Sequence, residues 1–131
     1  MKLSLRRTGD EKRHNRRLAL ALPVGMAVLP KRLSFPPRRP QFQGTLREAS
    51  MYGLQVVAPR ALPVGTVLKL WIRIGSEPEA RTIKLRGDVV WSRPGGPSEA
   101  SSVGIRLRDR PRKYASIWAN YIVEHLRRIE P

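Results

Sequence analysis

The chain has 131 residues, no cysteine, two histidines and a formal net charge of +16. That length is one domain with a single hydrophobic core, and the missing cysteines exclude disulfides and cysteine-based metal or nucleophile chemistry. The charge favours phosphate-bearing partners such as nucleotides, nucleic acid or anionic lipid, and by itself does not rank them.

Residues 1–17 (MKLSLRRTGDEKRHNRR) show no apolar periodicity and read as a flexible basic arm. An apolar segment starts at Leu18, and the stretch RRLALAL hints at a twin-arginine leader. Asp10 and Glu11 inside the basic part, the lack of a small-x-small cleavage site and the interruption at Pro23 argue against export. The segment is also shorter than the ~20 apolar residues of a membrane span. The expected location is the cytoplasm.

From Leu18 the pattern alternates, with Leu18, Leu20 and Leu22 on one side and Val24, Met26 and Val28 continuing it beyond Pro23, which suggests a bend or an edge position. A proline-rich basic loop covers residues 30–40. QGTLREAS and GLQVVAP are two short strands around Met51 and Tyr52. In PVGTVLKLWIRIG, Leu68, Leu70, Ile72 and Ile74 face one way and Lys69, Trp71 and Arg73 the other. RTIKLRGDVVWS is expected to turn Ile83, Leu85, Val89 and Trp91 inward, and VGIRLRD to do so with Val103, Ile105 and Leu107. Short alternating runs broken by turn residues predict a small antiparallel barrel or sandwich, with Gly44, Gly87 and Gly104 at sharp coils or bulges.

The period then changes. Tyr114, Ile117, Trp118, Tyr121, Ile122, His125, Leu126 and Ile129 recur at helical spacing, with Pro111 in the first turn and Asp109 before it. The stripe most simply caps the barrel, and His125 reads as a packed helix residue rather than a ligand. The domain boundaries are therefore 1–17 for the arm and 18–131 for the barrel, with the helix at 112–129.

Catalysis finds no support. No serine has a plausible base, there is no phosphate loop, and the Gly95-Gly96 pair has no helix signal behind it. No metal site is expected either. Binding is better supported. Arg13, Arg16 and Arg17 offer guanidinium groups that match both phosphate and the O6/N7 edge of guanine. In LREASMYGLQV, Glu48 is an acceptor suited to the N1 and N2 donors of guanine. Ser50 adds a hydroxyl on the same face if the segment is extended, and Gly53 allows positive φ or close approach.

Taken together, Arg13 and Arg17 in RHNRR (RxxxR before the first strand) and Glu48, Ser50 and Gly53 in ExSxxG resemble the paired signature of PilZ domains, RxxxR and [D/N]xSxxG. LPVGTVLKLWI, GDVVWS and VGIRL extend the similarity. The resemblance implies a six-stranded antiparallel β-barrel with a C-terminal helix, and a non-catalytic bacterial receptor for the second messenger cyclic di-GMP, with no other cofactor. It implies that Arg13 and Arg17 clamp the ligand and that Glu48 and Ser50 read a guanine, with Gly53 making room. Arg16 is a further candidate contact. So is Lys12, at the position that influences ligand stoichiometry in the family. Ordering of the arm would then change the surface shown to a protein partner. The family carries Asp or Asn where this chain has Glu48, whose extra methylene moves the carboxylate by about one bond length (~1.5 Å). Two rival readings stand at this point: a PilZ-like interaction module that does not bind the ligand, and a basic barrel binding single-stranded nucleic acid without specificity.

Overall fold

A strand whose every second residue is apolar has one face to bury, and six such strands bury it by closing on themselves. The computed structural model describes residues 18–29, 41–94, 100–108 and 112–129. Lys12, Arg13, Arg16 and Arg17 of the arm, the loop 30–40, the Gly95-Gly96 pair, Asp109 and Pro111 lie outside the described residues. The elements are β1 (Leu18–Leu29), β2 (Gln41–Ala49), β3 (Gly53–Ala58), β4 (Val67–Ile74), β5 (Arg81–Pro94), β6 (Ser101–Leu107) and α1 (Arg112–Ile129). The strands form a closed antiparallel barrel in the order β1-β2-β3-β6-β5-β4. The expected six-stranded barrel with a C-terminal helix is what the structure shows.

Closure removes the exposed edges that an open sheet of this kind would have to protect. Pro23 fits into it because β1 pairs with β4 only from Val24 onward, while on its other side Pro23 faces Thr45 of β2. Its missing N–H thus falls where one ladder has ended. The interior is filled by Val24, Met26, Leu46, Val56, Leu68, Leu70, Ile72, Ile83 and Leu85, all essentially inaccessible. Gly87 belongs to this packing: a Cβ there would stand 2.4 Å from Ile105 Cγ2 and 3.0 Å from the Arg106 carbonyl oxygen.

Helix α1 lays its stripe on the barrel, with Trp118 and Ile122 fully buried in the same core as the strands' inward residues. The opposite face, with Arg112, Lys113, Ser116, Asn120, Glu124 and Arg127, is exposed. His125 lies beside Tyr121, with Nδ1 3.0 Å from the Tyr121 carbonyl oxygen, a local helix contact.

Near the start of this helix Asp88 and Arg108 form a two-point pair, Nε to Oδ2 at 2.9 Å and Nη2 to Oδ1 at 2.7 Å. The hydrogen bonds from Arg108 hold the Asp88 carboxyl below its ordinary range, against a small opposing effect of burial. A carboxyl with a lowered folded-state pKa contributes stability that is complete above its unfolded pKa and is lost as pH falls through the folded value. Both partners are partly exposed, so the contribution is about 0.2–1 kcal/mol. Asp88→Asn is expected to destabilise the protein by that amount at neutral pH and to match the wild type once the pH drops well below 4. Urea denaturation across pH 2–7 checks this, and a constant difference at all pH values would refute it.

Candidate functional site

Side chains on one strand alternate between barrel interior and surface, so a single extra residue reverses every assignment beyond it. Two such insertions shape one outer wall. Between β2 and β3, Leu46 faces Val56 and Glu48 faces Gln55, so that Arg47 has no opposite number. Between β5 and β6, Val89 faces Ile105 and Trp91 faces Gly104, leaving Val90 over.

The consequence is a row in register across five strands. Ala19, Glu48, Gln55, Gly104 and Trp91 stand side by side on the outer face. One step along, Leu18, Ala49, Leu54, Ile105 and Val89 form the matching inner row, and all five are buried. Without the bulge at Arg47, Glu48 would share the inward face of Leu46. The expectation that Trp91 points inward with Val89 is overturned for the same reason: the bulge at Val90 shifts the alternation, and the indole lies outside, over Gly104. A Cβ on Gly104 would be 2.0 Å from Trp91 Nε1, so the ring occupies the space a side chain would need. The Arg93 guanidinium stacks 5.0 Å from the centre of the same indole.

Beyond β2 the chain turns through Ser50–Tyr52 into β3. Ser50 Oγ accepts hydrogen bonds from the amides of Gly53 (3.1 Å) and Tyr52 (3.3 Å), and the Ser50 amide donates to the Gly53 carbonyl at 2.9 Å. Ser50 is thus a turn former outside the strand, rather than the second residue of an extended face. Trp118 Nε1 donates to the Ser50 carbonyl at 3.0 Å, tying this turn to α1. Gly53 is not at positive φ; among the described residues only Gly65 and Gly75 are. What Gly53 meets is close approach, since a Cβ would lie 3.2 Å from the Ile105 carbonyl oxygen.

Glu48, Ser50 and Gly53 come together on one open cleft of about 240 Å³, and Gln55, Trp91 and Arg106 line it with them. Arg106 is beside Gly53 on one side and Asp88 on the other in the ladder. A second hollow of about 480 Å³ adjoins the first, and Glu48 and Gln55 form the ridge between them, with Arg47 and Leu20 on the far side. The cleft therefore combines a carboxylate, a carboxamide, a guanidinium and an indole, with Gly104 letting the indole lie flat on the strand and Gly53 letting the turn approach β6. Such a set suits a ligand with a flat hydrogen-bonding ring and a negative charge. Gln55, Trp91 and Arg106 were not singled out by the sequence motifs. The signal for Gln55 was its place two residues after Gly53 in a strand. Among the described residues no group of three or more His, Cys, Asp or Glu could hold a metal ion, and no helix is long and apolar enough to cross a membrane.

Comparison with known proteins adds three findings. The family profile described as PilZ domain matches residues 11–123. The structure is similar to the Bacillus subtilis inhibitor of motility (MotI/DgrA), with TM-score 0.65 and 17% identity over 88% of this chain and 51% of that one, so this chain spans about half its length. It is also similar to the PilZ domain of YcgR from Escherichia coli, solved with c-di-GMP, with TM-score 0.48 and 14% identity over 88% of this chain and 95% of that one. No curated protein matches by sequence.

Proposed function

This chain belongs to the PilZ domain family, and from that membership we propose that it is a non-catalytic cyclic di-GMP receptor whose ligand sits in the cleft beside Glu48 and Gly53. The observation that carries the reading is the convergence of the ExSxxG segment with Arg106 and Trp91 on one open cleft, a place with acceptor, cation and aromatic surface for a guanine nucleotide. Glu48 accepts from N1–H and N2–H of a guanine. Ser50 acts through the turn it closes, and Gly53 keeps the turn close to β6. Arg13 and Arg17, with Arg16 and Lys12 beside them, reach the phosphates and the remaining guanine edge from the arm. Once ordered over the cleft, the arm presents a new surface to a protein partner.

Titration of the purified protein with cyclic di-GMP by calorimetry at moderate salt tests this, with GTP as the control ligand. Binding at micromolar Kd or tighter is expected, equivalent to about −8 kcal/mol or better. Arg13→Ala and Arg17→Ala are each expected to weaken it by about 10- to 100-fold, because each removes a charge-assisted contact of ~1.5–3 kcal/mol. No detectable binding, confirmed by equilibrium dialysis, overturns the reading.

One observation favours a second reading. Glu48 stands where the motif it resembles has the shorter Asp or Asn, and a carboxylate displaced by about one bond length (~1.5 Å) strains a fitted contact, which supports a barrel kept for protein contacts without the ligand. Single-stranded nucleic acid on the basic surface around Trp71, where the Lys69 ammonium lies 5.5 Å from the indole, is separated by salt. Such binding falls steeply with ionic strength, whereas guanine recognition falls gently.

A further inference from the structure

Glu48 does not face the cleft alone. Gln55 is its direct partner across the β2–β3 ladder and faces outward by the regular alternation of β3, and the bulge at Arg47 turns Glu48 to the same outer wall. Directly opposed residues on one face of an antiparallel pair hold their Cβ atoms about 4.5–5.5 Å apart. Glutamate and glutamine are the same length, so from opposed positions a carboxylate and a carboxamide have equal reach. An aspartate at position 48 would stop one methylene short of that reach. Both residues also border the two hollows, which places the pair within reach of a ligand seated in either one.

We propose that Glu48 and Gln55 act as one unit that reads the Watson–Crick edge of a single guanine, the carboxylate accepting from N1–H and N2–H and the carboxamide donating to O6. This rests on the cyclic di-GMP reading above and assigns to Gln55 a specificity role in that site. The longer side chain at position 48 then belongs to the recognition device, since only a glutamate meets Gln55 at equal reach. The same pair rejects adenine. Adenine's N1 is an acceptor and would oppose the carboxylate, and a rotation of the carboxamide satisfies only the exocyclic amine. Discrimination of this kind arises because a polar group built for one base is left unpaired by the other.

The test is calorimetry with cyclic di-GMP and cyclic di-AMP on the wild type, Glu48→Ala, Gln55→Leu, Gln55→Glu and a Glu48→Ala/Gln55→Leu double variant. Gln43→Leu, on the exposed outer face of β2 away from the cleft, serves as control. The wild type is expected to prefer cyclic di-GMP by about 100-fold. Gln55→Leu removes one hydrogen bond to the base and weakens cyclic di-GMP by about ten-fold. Gln55→Glu sets a second acceptor against O6 and weakens it further, although it preserves shape. Loss on combining Glu48→Ala with Gln55→Leu should be clearly less than the product of the single losses, the mark of two groups working on one base. Melting temperatures close to wild type in the Gln55 variants separate this from unfolding. Wild-type affinity in both Gln55 variants overturns the proposal and leaves the receptor standing. Absence of cyclic di-GMP binding by the wild type overturns the receptor reading itself, and the pair with it.

Discussion

Trp118→Ala is expected to lower stability by about 3–5 kcal/mol and, in the same protein, to weaken ligand binding. Trp118 is the largest of the fully buried side chains and stacks on Tyr121 at 5.7 Å, so its removal leaves a large cavity between α1 and the barrel. For a domain of this size the melting temperature should fall by roughly 10 °C or more. Stability loss alone would be ordinary for a buried tryptophan. The further effect comes from the indole N–H, which holds the Ser50 carbonyl, and Ser50 closes the turn that carries Gly53 into the cleft. Trp118→Phe separates the two contributions. It keeps most of the volume and leaves the carbonyl without its donor, a cost of about 1–3 kcal/mol if water does not replace it. Guanidinium denaturation gives the stability change and calorimetry the affinity change. A Phe variant that is less stable but binds with wild-type affinity would show that the Ser50 hydroxyl holds the turn unaided, and that the helix only fills space.

That link also bears on signalling. The turn lies between the cleft on one side and the helix on the other, so under the proposed function a ligand that tightened the turn would act on α1 through the Trp118–Ser50 hydrogen bond and the packing around it. Coupling of this sort has a physical carrier, and the Trp118 variants measure it.

Much of this architecture was legible in the order of residues. Leu68, Leu70, Ile72 and Ile74 announce β4 and its buried face, and the Trp118–Ile122 stripe announces the helix, because those patterns are long and unbroken. The paired motifs placed Glu48, Ser50 and Gly53 in one site, and the cleft brings them together. The site's remaining members were hidden by parity. In DVVW, two adjacent valines fit either face, so nothing in the string marks Val90 as the residue left over and Trp91 as outward. Arg47 is equally silent, yet it determines that Glu48 reaches the surface. Gln55 comes opposite Glu48 through the β2–β3 hairpin in a register that the silent Arg47 bulge sets, whereas Arg106 is remote in sequence and reaches the cleft only because β6 pairs with β3. Ser50 misled for a different reason. A hydroxyl two residues past Glu48 reads as the same face of a strand, but a serine oxygen also accepts from amides two and three residues ahead, and here the turn wins.

Gly104→Ala is expected to damage the site more than any other single methyl group placed on this wall. The added Cβ would lie 2.0 Å from Trp91 Nε1, 2.3 Å from Cε2 and 2.5 Å from Cδ1, so the indole has to leave its place. The obstacle is a partly exposed side chain, which can rotate away, whereas at Gly87 the obstacles are the buried Ile105 and the Arg106 backbone. The barrel should therefore stay closed at a cost of about 1–3 kcal/mol, typical of overpacking. The displaced ring takes with it one surface of the cleft and its stack with Arg93, and affinity for cyclic di-GMP should drop by about ten-fold or more. Tryptophan fluorescence should shift to the red as Trp91 becomes more exposed, with circular dichroism unchanged. The decisive measurement is the same substitution in a Trp91→Ala background. There the added methyl group meets no ring, and Gly104→Ala should become nearly neutral for stability. An equal penalty with and without the indole would mean that Gly104 is required by the β6 backbone itself, and that Trp91 covers the strand without depending on the gap beneath it.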